Sequence, residues 1–185
     1  MPNVKGSALA SRLLWVTLGH GERGLESLER AVSPALAPVL VNGVHKARWY
    51  PFEQFIELNE VIDRLFGTGD LALVRELGRY GADANLRTVY RLFYKVGTVR
   101  WILGRAARLW GAHYDSGELR VISDVPCEST LEILGFATPH RVHCLSVAGW
   151  CERSVEISGG NQVRLEELEC RAEGDERCLL RVHWR

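Results

Sequence analysis

Cys144, Glu167, Cys170 and Cys178 follow one another at intervals of 23, 3 and 8 residues, and three thiols with one carboxylate are enough to fill a tetrahedral zinc shell. Zinc suits this mixed sulfur and oxygen set better than calcium or magnesium, which take oxygen ligands alone. Two plainer readings compete. A free cysteine is among the most buried residue types and can simply pack as a small hydrophobe. Glu167 in a regular strand faces away from Cys170 and, if Gly174 centres the turn, stands opposite Arg181, with which it can form a surface ion pair. In that register Cys170 and Cys178 lie directly across from each other, and only a β-bulge between positions 167 and 170 turns the carboxylate toward them. His143, beside Cys144, is an alternative ligand.

No other motif in the chain carries chemistry of comparable sharpness. There is no nucleophile elbow, no dinucleotide-binding glycine fingerprint and no open metal position, so an enzyme is not expected. None of the six histidines stands in a heme motif, and the acidic pair Glu166-Glu167 reads as a solvated strand edge. Lys+Arg and Asp+Glu both number 23, which gives no basic field for nucleic acid or anionic lipid. Five cysteines without a secretory signal point to a reducing compartment rather than to disulfides. No run approaches the roughly 18 apolar residues of a membrane span, so a cytoplasmic location is expected.

The elements that must position these side chains can be read from periodicity. With 185 residues, 46% of them hydrophobic, the chain is expected to form a single domain over 1-185 with one proper core. Arg12 to Leu18 is rich in β-branched and aromatic residues and reads as a short strand. Gly24 to Leu40 has helical spacing interrupted by Pro34 and Pro38. A helix opens near Pro51, buries Phe55, Leu58, Ile62 and Leu65, and closes at Gly67. Asp70 is a candidate cap for another short helix ending at Gly78 or Gly81. Val89 to Trp110 keeps helical periodicity, with a break expected near Gly97. Glu118 to Val125 and Thr130 to Phe136 read as a hairpin around Pro126, Pro139 opens a helix that ends at Gly159-Gly160, and Gln162 to Arg171 with Arg177 to Trp184 form a terminal hairpin. This order implies an α+β fold, with a mostly antiparallel sheet packed against a helical layer.

Cys144, Gly149 and Trp150, then Glu167 and Cys170, then Gly174, Asp175, Cys178 and Trp184 together resemble the 4-vinyl reductase domain superfamily. That group includes the sensory domains of phenol- and toluene-responsive transcription activators. It is related in fold to the heme nitric-oxide binding domain and to core subunits of the TRAPP transport complex, an NO-signalling and Golgi-transport ligand-binding fold. Over nearly its whole length the chain is most similar to a myxobacterial family of that superfamily. The resemblance implies a zinc ion on Cys144, Glu167, Cys170 and Cys178, structural because four protein ligands close the shell.

The resemblance also implies an effector pocket between the central helices and the sheet, lined by Phe93, Val96, Trp101, Trp110, Tyr114, Leu119 and Val121. The phenol sensors place a histidine where this chain has Trp101, which shifts the expectation from phenol to a bulkier, less polar ligand or to a pocket filled by its own side chains. The function that follows is a sensory or regulatory domain that binds a hydrophobic small molecule and acts through a homodimer or a partner regulatory protein. The alternative is an assembly subunit in the manner of the TRAPP relatives, without a ligand, and a third is an accessory to a reductase reaction. A continuous interior cavity favours the first, and a solid interior the second.

Overall fold

The computed structural model of the protein describes residues 1–89 and 99–185. The stretch expected as a first strand is helical: α1 runs Gly6–Ala31, with Ala8, Leu9, Arg12, Val16, Gly24 and Leu28 buried along it. These positions recur at helical intervals, and the buried stripe they make outweighs the β-favouring residues of the segment. At Gly21 the helix kinks, with a positive φ of 63° that a side chain resists. The proline-interrupted segment ends α1 and restarts as the short α2, Ala37–Val41, with Pro38 in its first turn.

Helix α3, Phe52–Phe66, is capped by Pro51 and Gly67 as its sequence predicts. Its carboxylate Asp63 is buried, yet fully used, because it accepts the Leu71 and Leu73 backbone N–H groups at 2.8 and 3.1 Å. Those bonds set the start of α4, Ala72–Val89, where Asp70 also accepts from the Ala72 N–H at 3.0 Å. Gly78 and Gly81 do not stop this helix. They let other groups approach it: a Cβ on Gly78 would overlap the Ser146 carbonyl, and one on Gly81 would lie 2.7 Å from Nη1 of Arg12. Two short helices follow the undescribed residues, α5 (Val99–Leu103) and α6 (Ala106–Gly111). The expected break near Gly97 lies outside the described residues, as do Phe93 and Val96.

Four strands form the main sheet: β3 (Glu118–Val125), β4 (Glu128–Leu134), β5 (Arg164–Glu169) and β6 (Cys178–His183), all antiparallel in the order β3-β4-β6-β5. A second, two-stranded sheet pairs β1 (Asn3–Lys5) with β2 (Trp49–Pro51). Between the two hairpins of the main sheet runs α7, Arg141–Ile157, whose first turn is capped by His140 accepting from the Val142 N–H at 3.3 Å.

Helix α7 lies tightly against α4, because Gly149 admits the Arg75 carbonyl just as Gly78 admits that of Ser146. Ion pairs flank this crossing: Arg79 bonds Glu152 and Glu156, and Arg153 bonds Asp83 and Glu156. Phe52, Phe55, Leu58 and Ile62 of α3 share one core with Leu131, Leu180 and Val182 of the sheet. The observed class is therefore the expected α+β arrangement, with helices layered on an antiparallel sheet.

Candidate functional site

At the sheet end of α7 the Cys144 and Cys170 sulfurs and a Glu167 carboxylate oxygen all lie within 4.8 Å of one another. A register shift between Glu167 and Glu169 is the bulge that the strand needs for this. The pairing differs by one residue from the sequence expectation: Glu167 stands opposite Leu180, and Arg181 opposite Glu166. The bulge is the reason: on its turn side Glu169 stands opposite Leu179, the register that a turn centred on Gly174 gives, and the turn itself holds a 3₁₀ segment over Arg171–Glu173 and a left-handed Gly174. On its other side β6 pairs with β4, where Cys178 stands opposite Ile133, and the Cys178 sulfur accepts from the Arg171 N–H at 3.4 Å.

The carboxylate of Glu167 is ion-paired with Arg141, not Arg181. The same guanidinium reaches the Cys170 sulfur at 3.5 Å and Glu173 at 3.2 Å. The Cys144 thiol donates toward Cys178 and lowers the pKa of that thiol, while the same bond and burial push Cys144 well above the usual thiol range. His143 is elsewhere: it is fully buried among the rings of Phe52, Trp110, Tyr114 and Phe136, stacked on Phe136 at 4.2 Å.

On the helical side lies a cavity of about 50 Å³. Helix α1 contributes Arg12 to its wall, α4 Asn85, α6 Trp110, and α7 Ser146, Trp150 and Cys151. Leu109, Leu119 and Val147 add the apolar lining. His113 and Tyr114 complete it just after α6. Arg12 is 3% exposed. Its Nε donates to Asn59 Oδ1 at 3.0 Å, Nη1 to Ser11 Oγ at 3.1 Å and Nη2 to Ser146 Oγ at 2.6 Å, and its guanidinium carbon lies 5.0 Å from the centre of the Phe55 ring. Burial lowers its pKa to about 10, so it stays charged at neutral pH.

The Nδ1–H of His113 donates to the Leu109 carbonyl at 2.9 Å, which makes Nε2 the ring's acceptor. Burial lowers the His113 pKa, raises that of Tyr114 and pushes the Cys151 thiol up to about 12. The indole N–H of Trp150 is buried without a partner among the described residues, whereas that of Trp110 donates to the Ser116 carbonyl at 2.8 Å.

Three residues expected in the pocket, Trp110, Tyr114 and Leu119, line this cavity. Val121 packs on the core outside its wall, and Trp101 packs against a separate cluster of Ala82, Leu86, Ile102 and Leu109, with the Arg105 guanidinium 3.4 Å over its ring. Arg12, Asn85, His113 and Trp150 were not anticipated. The one signal for Arg12 was an arginine set among Leu9, Val16 and other apolar residues at helical spacing.

No family model matches the chain, and no curated protein matches it. Solved structures do. An H-NOX protein from S. oneidensis in its Fe(II)NO state has a TM-score of 0.72 at 14% identity, covering 98% of this chain and 99% of that one. An oxygen-binding H-NOX domain related to soluble guanylate cyclases has a TM-score of 0.70 at 10% identity, covering 98% and 95%. A structure from a study of heme distortion in the H-NOX family has 0.71 at 11% identity, again covering 98% and 95%. At such identities the likeness is one of fold, and among the described residues no helix is long and apolar enough to cross a membrane.

The comparison corrects the expectation of structural zinc. The solved domains of this fold are described by their heme and its ligation states, not by zinc. Within this chain the carboxylate meant for the ion is occupied by Arg141, whose positive charge also touches Cys170. A divalent cation placed there would face that guanidinium at close range. The chain shares the H-NOX fold.

Proposed function

We propose that the protein is a small-molecule-binding sensory domain whose ligand occupies the cavity between α1, α6 and α7. The observation that carries this reading is a cavity of about 50 Å³ with a buried cation and an unpartnered indole N–H in its wall. Interiors are normally close-packed, and a mostly apolar hollow with a few polar groups in its wall is a ready ligand site. The fold supports the same class, because solved H-NOX domains hold oxygen or NO. The resemblance of the C-terminal motif to 4-vinyl reductase sensory domains points the same way.

Binding fits the site better than turnover. Burial raises the Tyr114 and Cys151 pKa values, so neither is an activated nucleophile at pH 7.

Heme, the group held by the solved domains of this fold, finds suitable donor chemistry here but not space. His113 with its Nδ1–H fixed on Leu109 is the kind of ligand iron takes. The cavity of about 50 Å³ is far too small for a macrocycle, since even benzene occupies an engineered cavity of about 150 Å³. The ligand is therefore a molecule of a few heavy atoms, held by Arg12, Trp150 and the apolar wall.

Ligand-observed NMR of the full chain against a panel of small acids, alcohols, amides and phenols tests the proposal. Saturable binding of at least one class is expected, with contacts to Leu109 or Val147. Hemin titration is the counter-test: one-to-one uptake with a Soret band that is lost in His113→Gly would replace the small ligand with heme.

A further inference from the structure

The guanidinium of Arg12 has five N–H groups and makes three hydrogen bonds, to Asn59, Ser11 and Ser146, which leaves two without a partner among the described residues. All three acceptors are neutral. Among the described residues no carboxylate is ion-paired with Arg12, and the buried acid of α3, Asp63, is committed to the backbone of Leu71 and Leu73. A buried charge without a counter-charge is costly, and proteins almost always pair it. Gly81 keeps the space for this side chain open, because a Cβ there would meet Nη1 at 2.7 Å. In the same wall Trp150 adds a second buried donor, without an acceptor among the described residues.

We propose that Arg12 is the anion-recognition residue of the cavity and that the ligand is a short-chain carboxylic acid. Its carboxylate completes the guanidinium, and its alkyl end lies against Leu109, Leu119 and Val147. A planar two-oxygen anion matches two free N–H groups of one fork, and a volume of about 50 Å³ limits the alkyl part to a few carbons. Neutral molecules of the same shape would leave the charge unmatched. This inference rests on the cavity being the ligand site.

The test uses the full, unmodified chain labelled with ¹⁵N and two probes of nearly equal shape, propionate and propionamide. The indole N–H signal of Trp150 and the Nε–H signal of Arg12 are followed through each titration. Saturable shifts with propionate are expected, with propionamide at least roughly thirtyfold weaker, the low end of the effect of removing one partner of a buried charge pair. Equal affinity for the two probes overturns the proposal, and so does an equal response to nitrate, which lacks the alkyl end. Saturable binding of neutral molecules alone also overturns it while leaving the ligand-binding function intact. If no molecule of any class saturates the site, the function itself falls. Because the comparison is between ligands, it does not depend on an Arg12 variant that fails to fold.

Discussion

Arg12 and Ser146, 134 positions apart in the chain, are joined by a 2.6 Å hydrogen bond from Nη2 to Oγ, with both side chains buried. This bond ties α1 to α7 across the cavity. Because the donor is charged, removing the acceptor leaves an N–H of a buried cation unmatched. Ser146→Ala is expected to cost about 1.5–3 kcal/mol, measured by urea unfolding. A loss under roughly 0.5 kcal/mol, the usual effect of a neutral surface change, would mean that the bond contributes little.

Glycines at the crossing of α4 and α7 give a second expectation. Gly78→Ala and Gly149→Ala each drive a methyl into a backbone carbonyl of the facing helix, that of Ser146 or Arg75. Backbone cannot step aside as a flexible side chain can, so the cost should reach about 3 kcal/mol or more. Gly19 is the control: nothing lies within 4 Å of a Cβ there, and Gly19→Ala should stabilise α1 by about 0.5–1 kcal/mol. Thermal melts of the three variants read both signs.

His143 sets an acid limit. Burial depresses its pKa from 6.5 to about 3, with the charge of His140 adding to the effect. Above pH 6.5 both folded and unfolded chains carry the neutral ring, and the stability contribution is fully present. Below it the unfolded chain takes up a proton that the folded chain refuses, so stability falls by about 1.4 kcal/mol per pH unit down to about 3. Stability curves at pH 7, 6 and 5 should show this slope, and His143→Phe should flatten it. An unchanged slope in that variant would assign the acid sensitivity to other groups.

Much of the architecture was legible because local signals agreed with the final packing. Pro51 and Gly67 bracket α3 in sequence and in space, and Glu118–Val125 with Glu128–Leu134 form the hairpin that their alternation predicts. The errors share a cause. Arg12 to Leu18 looks like a strand because its residues favour extended backbone, yet its buried side is defined by partners on α3 and α7 that no local window contains. Gly78 looks like a helix stop until Ser146 is seen against it. The thiols were legible as a cluster, and the register beside them, Glu169 opposite Leu179, is the one a turn centred on Gly174 gives; beyond the bulge between Glu167 and Glu169 the pairing moves by one residue, which no local window shows. Arg141 took Glu167 from outside the motif. The cavity itself was the least legible feature, since an unpaired arginine acquires meaning only when its surroundings are known.

The central claim is that the hollow beside Arg12 holds a small molecule. The most direct measurement is the ¹H–¹⁵N spectrum of the full chain as small molecules are added, watching the indole N–H of Trp150, which is buried in the wall of that cavity without an acceptor among the described residues. The account predicts that this signal moves saturably with at least one compact ligand, while the exposed indole of Trp49 stays still. A Trp150 signal that never saturates with acids, amides, alcohols or phenols would contradict it.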